Sequence, residues 1–128
     1  MIITGASRGI GRAVAEQFVR ERAVVGINHA DDHEAAVATH AALRAIDQQE
    51  GRPVRPHLIL KADVSCEADV VSMLDHALAQ WGRLDVMICN AGIQAVTDGH
   101  NFDLQTFERI MAVNLTGVAL CCLLYTSD

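Results

Sequence analysis

Thr4-Gly5-Ala6-Ser7-Arg8-Gly9-Ile10-Gly11 follows directly on the apolar triplet Met1-Ile2-Ile3, which reads as the end of a strand. It opens a stretch, Ile10 to Arg22, in which Ile10, Ala13, Val14 and Phe18 recur at helical spacing. A glycine-spaced loop between a strand and an amphipathic helix has a specific physical use. Gly5 permits a tight turn out of the strand, Gly9 puts no side chain in the way of a diphosphate, and Gly11 lets the helix pack closely on the sheet. The helix N-terminus then offers unpaired N–H groups and partial positive charge to the phosphates. Three glycines alone are a weak signal; their place between strand and helix makes it specific. No Lys-Ser/Thr pair follows, which argues against a nucleoside-triphosphate loop.

Outward from this loop, strand and helix patterns alternate. Ala23–Asn28 is a short apolar run with the character of a buried strand. Asp31, with Glu34 three residues on, resembles a capping box for an Ala-rich helix reaching Gln49. Both prolines fall in the loop Gly51–Pro56, and His57–Ala62 reads as a third strand. Val70, Leu74, Ala77, Leu78 and Trp81 predict one face of a helix over Glu67–Trp81, stopped by Gly82. Leu84–Cys89 is the fourth strand and Asn90–Asn101 a loop. Asp103 can cap a last helix with apolar positions Phe107, Ile110, Met111 and Leu115. This pitch of alternation predicts parallel βαβ units in an α/β fold.

Composition narrows the function. Ten Lys plus Arg against sixteen Asp plus Glu give a net charge of −6, which argues against nucleic acid or an anionic membrane as partner. The longest apolar stretch, near Val118–Tyr125, is far short of the ~20 residues that span a bilayer, and no signal pattern opens the chain. A cytoplasmic location is expected. Cys66, Cys89, Cys121 and Cys122 match no zinc spacing and read as free, mostly buried thiols. The only candidate ligand cluster, His29-Ala30-Asp31-Asp32-His33, is better explained as a strand end and a helix start, so no metal is expected.

Four ordered segments together resemble the short-chain dehydrogenase/reductase family. They are the glycine loop, Asp63-Val64 after the third strand, Asn90-Ala91-Gly92 after the fourth, and Asn114 within Met111-Ala112-Val113-Asn114-Leu115-Thr116-Gly117. Cys89 stands where the family often has an asparagine. The resemblance runs from residue 1 to about residue 121 and implies a Rossmann-like doubly wound parallel sheet of order 3-2-1-4-5-6-7. Only strands 1 to 4 and the start of the following helix are present, in a chain about half the family's usual length. Residues 1–121 are therefore expected to form the NAD(P)-binding part. Cys122-Leu123-Leu124-Tyr125-Thr126-Ser127-Asp128 resembles the translation of a sequencing adaptor and is expected to be a non-native tail.

The resemblance also implies roles. Gly5, Ser7, Arg8, Gly9, Ile10 and Gly11 would hold the cofactor around its diphosphate. Asp63 would bind the adenine amine, Val64 would pack on the adenine ring, and Asn90, Ala91 and Gly92 would lie along the ribose and nicotinamide. Asn114 is the one residue of the catalytic group that carries over, supporting a water in a proton relay. Asp63 as a cap and Asn114 as a residue bonding locally to backbone remain open. An acidic residue ending the second strand would favour NAD(H). Here that position is Asn28, and Arg8 could pair with a 2′-phosphate, so NADP(H) is the preferred cofactor with NAD(H) possible. Asp31 and Asp32 act against that preference unless they cap the helix.

The family's Tyr-x-x-x-Lys pair does not occur: the single lysine is Lys61, and the single tyrosine, Tyr125, follows Asn114 too soon to match. A phenol of pKa near 10 is a poor base at neutral pH without such a cation. The expectation is a fragment of an oxidoreductase that moves a hydride between NADP(H) and a small carbonyl/alcohol substrate, inactive alone, from a parent that forms dimers or tetramers. Its motifs resemble 3-oxoacyl carrier-protein reductases and glucose dehydrogenase-like members about equally. The alternative is a non-catalytic dinucleotide-binding module.

Overall fold

The computed structural model describes residues 1–126. Strands β1 (Ile2–Ile3), β2 (Gly26–His29), β3 (Leu58–Lys61) and β4 (Met87–Ile88) form one parallel sheet of order β3-β2-β1-β4. The register is Ile2 to Gly26 and Met87, Ile3 to Ile27 and Ile88, and Gly26 through His29 to Leu58 through Lys61. Between and after the strands lie α1 (Gly9–Arg20), α2 (His33–Gln49), α3 (Glu67–Trp81), α4 (Leu104–Met111) and α5 (Gly117–Thr126), with a π-helical segment, Ala112–Thr116, joining the last two. This is the doubly wound α/β arrangement expected from the sequence. The chain steps outward from β1 to β3 and then returns to the other side of β1, which places β4 at an edge.

Alternating side chains divide the core between the faces. Ile3, Val25 and Ile27 pack with Ala15 and Val19 of α1 and with Ala36, Leu43 and Ile46 of α2. Ile2 and Leu60 pack with Val70, Met73, Leu74 and Ala77 of α3 and with Val113 and Cys121. At ~25 cal/mol per Å² of apolar surface removed from water, these two clusters supply the main driving force for folding.

The buried face of α1 is Gly11, Ala15 and Val19, while Ile10 is 78% exposed and Phe18 stands half out. The helix is rotated by one position because Gly11, not Ile10, must meet the loop. In α3, Met73 replaces Leu78 on the buried face. The α2 cap is Asp32, whose carboxylate accepts from the Ala35 N–H at 3.2 Å, one residue later than the capping-box pattern suggests. Asp103 does cap α4, yet Phe107, Met111 and Leu115 remain exposed and Val113 supplies the buried contact. Cys66 and Cys122 are exposed, so the thiols are not mostly buried. Burial pushes the Cys121 thiol up to about 12, leaving it unreactive at neutral pH.

The helical stretch Leu104–Thr126 is long and apolar enough, by length and composition, to cross a membrane, which the short run Val118–Tyr125 did not suggest. Here it packs against α3 through Val113, Cys121 and Leu120. Of the proposed tail, Cys122–Thr126 continue α5, and the Tyr125 hydroxyl donates to the Asp85 carbonyl at 2.6 Å. Ser127 and Asp128 lie outside the described residues.

Candidate functional site

At the C-terminal end of β1 the chain must leave the sheet beside β4, and Thr4 organises that exit. Its buried hydroxyl oxygen accepts from the Asn90 and Ala91 N–H groups, each at 2.9 Å, and donates to the Ile88 carbonyl at 3.4 Å. The Asn90 side chain returns the contact, donating to the Thr4 and Gly5 carbonyls at 3.1 and 3.2 Å. The loops after β1 and β4 are thus stitched together where the strand order reverses, the place where open α/β sheets bind ligands. Thr4→Val keeps the shape and leaves the Asn90 and Ala91 amides without an acceptor. It is expected to cost about 2 kcal/mol, read as a lowered urea midpoint, while Thr4→Ser stays close to the parent.

Asn28 holds the same loop from the other side. Its Oδ1 accepts from the Gly5 N–H at 3.1 Å, and its Nδ2 donates to the Leu60 and Ala62 carbonyls, both at 3.1 Å. The amide is occupied by backbone, so it shapes the cavity wall instead of presenting a free polar group. Strand β2 runs on through His29, which moves the strand end towards Ala30 and Asp31.

Helix α1 begins with donors to spare. Its N-cap, Arg8, makes no side-chain cap hydrogen bond, and no acidic residue stands in the first turn. Gly9, at φ +61, has nothing within 4 Å of where a Cβ would project. Gly11 is the opposite case: its Cβ would lie 2.6 Å from the Gly5 carbonyl oxygen and from Asn90 Nδ2. The result is an uncapped helix N-terminus with open space at its glycine, a cradle suited to an anion.

A cavity of about 320 Å³ runs from this loop across the strand ends. Gly5, Ser7, Arg8, Asn28, Asp63, Val64, Asn90, Ala91 and Gly92 line it; Gly9, Ile10, Gly11 and Asn114 do not. His29, Asp31, Asp32 and Arg109 also line it. Arg8 reaches Asp32 at 3.3 Å, an exposed pair of small energetic weight. The Asp63 carboxylate accepts from Ser65 N–H (2.9 Å), Ser65 Oγ (2.6 Å) and Arg109 Nη2 (3.0 Å), while Arg109 Nη1 donates to Ser65 Oγ at 2.8 Å. Burial pushes this carboxyl up, but the Ser65 and Arg109 hydrogen bonds outweigh it and hold it below the usual carboxylate range. Asp63 is therefore an anion, fixed in place and facing the cavity. Asn114 makes a two-way contact with Ile93, accepting from its N–H and donating to its carbonyl, both at 2.8 Å. It anchors the loop after β4 from the π-helical turn.

Residues 1–127 match the family described as short chain dehydrogenase. The chain belongs to that family. Among its relatives, Glucose 1-dehydrogenase 2 of Bacillus subtilis is 39% identical over 120 residues, which are 93% of this chain and 44% of that protein. Glucose 1-dehydrogenase of Gluconobacter oxydans is 37% identical over 122 residues, or 95% and 43% of the two chains. A short chain dehydrogenase from Burkholderia cenocepacia, solved in complex with NADP, superposes with a TM-score of 0.85 at 27% identity, covering 97% of this chain and 48% of that one. The chain thus spans about half the length of the short chain dehydrogenases it matches.

No sequence signal gives Thr4, Ser65 or Arg109 a role at the site, and His29 reads from sequence as a strand end. Thr4 was visible as the residue before Gly5, but its partners lie 86 and 87 residues away. Arg109 sits on α4, and nothing local connects it to Asp63.

Proposed function

We propose that this short chain dehydrogenase chain carries the dinucleotide site of an oxidoreductase that transfers a hydride between NADP(H) and a small carbonyl/alcohol substrate, with NAD(H) accepted less well. The observation that carries the reading is the uncapped N-terminus of α1 opening through Gly9 at the switch point of the sheet. Bound there, the nicotinamide would supply the hydride. The α1 N–H groups and Gly5 would hold the diphosphate, Asp63 and Val64 the adenine, and Asn90 to Gly92 the ribose and nicotinamide side. Asn114 would keep the loop after β4 in position for them. Arg8 would turn from Asp32 to a 2′-phosphate, the basis of the NADP(H) preference. On this reading neither Tyr125, whose hydroxyl is engaged with the Asp85 carbonyl, nor Lys61, on β3, is the family's acid–base pair. The 128-residue chain is thus expected to bind without turning over, with a cytoplasmic location and self-association as part of the same reading.

Fluorescence titration with NADPH and NADH checks this. Saturable binding of both, tighter for NADPH, is expected, with no carbonyl-dependent oxidation of NADPH. Failure of both dinucleotides to bind folded protein would overturn the proposal.

A further inference from the structure

Asp63 faces the cavity as an anion, yet most of its hydrogen-bonding capacity is spent inside the protein. Its Oδ1 accepts from the Ser65 N–H at 2.9 Å and from the Ser65 hydroxyl at 2.6 Å, and its Oδ2 accepts from Arg109 Nη2 at 3.0 Å. Each carboxylate oxygen offers about two lone-pair sites. Oδ1 is therefore full, and Oδ2 keeps one site open. The backbone is held as well, because the Asp63 N–H donates to the Asp69 carboxylate of α3 at 2.9 Å. Among the described residues, the bond on Oδ2 comes from α4 alone, 46 residues along the chain.

Arg109 bridges the loop after β3. Its Nη2 goes to Asp63 and its Nη1 to the Ser65 hydroxyl at 2.8 Å, so one flat guanidinium spans both groups. The Arg109 side chain is 50% exposed and that of Asp63 35%, so the pair adds little to folding. Both residues line the cavity, together with Val64 and Val113. An ion pair of small weight in stability, set in the wall of a cavity, acts chiefly on the shape and charge of that wall.

Building on the proposed cofactor site, we infer that Arg109 is a positioning residue, which from α4 fixes the Asp63 carboxylate so that one lone pair of Oδ2 stands open to the base of the nucleotide. An amino group on the purine donates to that lone pair. A carbonyl oxygen in the same place meets the anion with lone pairs of its own and is rejected. Without Arg109 the carboxylate keeps its Ser65 bonds on Oδ1, but Oδ2 loses its anchor and the amine loses a fixed acceptor. The loss falls on recognition of the base and spares the diphosphate, which on the proposed reading belongs to α1 and Gly5.

Titrations of the chain with NADPH and with reduced nicotinamide hypoxanthine dinucleotide phosphate, which carries a carbonyl oxygen where adenine has its amine, test this. The parent is expected to bind NADPH about tenfold more tightly than the hypoxanthine form. In Arg109→Met the ratio is expected to fall to about threefold or less, through weaker NADPH binding, while the urea midpoint stays close to the parent. Arg109→Lys keeps the charge and one donor, and is expected to regain part of the ratio. A role in folding alone would weaken both nucleotides equally and lower the urea midpoint. Equal binding of the two forms by the parent, or an unchanged ratio in folded Arg109→Met, would overturn the inference and leave the cofactor site standing. Binding of neither form would remove both. The parent ratio needs no variant, so the test survives a substitution that does not fold.

Discussion

Gly11→Ala is expected to destabilise the chain by about 3 kcal/mol, whereas Gly9→Ala, two residues away, costs about 1 kcal/mol. The difference is set by what each new methyl meets. At position 11 it would lie 2.6 Å from the Gly5 carbonyl oxygen, 2.6 Å from Asn90 Nδ2 and 2.9 Å from the Ala6 Cα. Two of these are backbone atoms of the loop that Thr4 and Asn28 hold in place, so relief requires α1 to move off the sheet. That movement would loosen Ala15 and Val19 from the core. At position 9 nothing lies within 4 Å, and the cost is the left-handed backbone at φ +61. The order reverses when binding is measured against stability. Gly9→Ala adds a methyl at the first residue of α1, beside the proposed diphosphate cradle, so it is expected to fold and to lose more NADPH affinity than its stability change explains. Urea unfolding of both variants, with NADPH titration of the folded one, reads both effects. Equal midpoints for Gly11→Ala and the parent would show that helix and loop are not in the contact described.

The glycine loop shows what a single sequence makes legible. Helix period, turn residues and loop position are local properties, and they predicted α1, α3 and the cap at Asp103; the strand order came from the family resemblance. What was lost is whatever depends on distant partners. Ile10 looked like core because it is apolar and correctly spaced, yet Gly11 occupies the contact, since the approach of a loop and an asparagine side chain leaves room for hydrogen alone. Asn28, at the family's specificity position, does line the cavity. What the sequence hides is that its amide serves three backbone groups, one on β3 and one just past it. His29 stood in a ligand-like cluster better explained as a strand end, and Arg109 gave no signal, because a histidine after a strand and an arginine on a helix are ordinary until the sheet places them on one cavity. The exposed apolar row Phe107, Met111 and Leu115 follows the helical period faithfully but faces away from the sheet. Periodicity identifies an apolar face without saying what it meets.

Asp47→Asn is expected to cost about 3–5 kcal/mol at pH 7 and to alter how stability depends on pH. Asp47 is fully buried near the end of α2, and its carboxylate accepts from Arg52 Nε (3.0 Å), the Arg55 N–H (3.1 Å) and His57 Nε2 (2.8 Å). His57 Nδ1 accepts from the Val25 N–H at 3.1 Å, so the ring is neutral with its proton on Nε2. Arg52 also donates to the Val19 carbonyl. One carboxylate therefore joins the ends of α1 and α2 to the beginnings of β2 and β3. An amide can replace only part of it, because its NH2 would oppose another donor. Burial pushes the Asp47 carboxyl up, but the hydrogen bonds from Arg55, Arg52 and His57 outweigh it and the group stays below its ordinary value. Burial also pushes His57 down, and Asp47 only partly opposes that. Both folded pKa values lie below their unfolded ones, so between them the unfolded chain binds more protons and stability rises with pH. The histidine part is present above about 6.5 and is lost as pH falls from there; the carboxylate part is lost below about 3.9. Without the carboxylate, His57 is harder still to protonate, so the histidine-linked loss is expected to extend to lower pH in the variant. The shift of His29, which has the same sign, is common to both proteins and cancels in the difference. Urea midpoints from pH 8 to pH 4 measure the two curves. Parallel curves separated by less than 1 kcal/mol would mean that the Asp47 cluster contributes far less than a buried ion pair of this connectivity should.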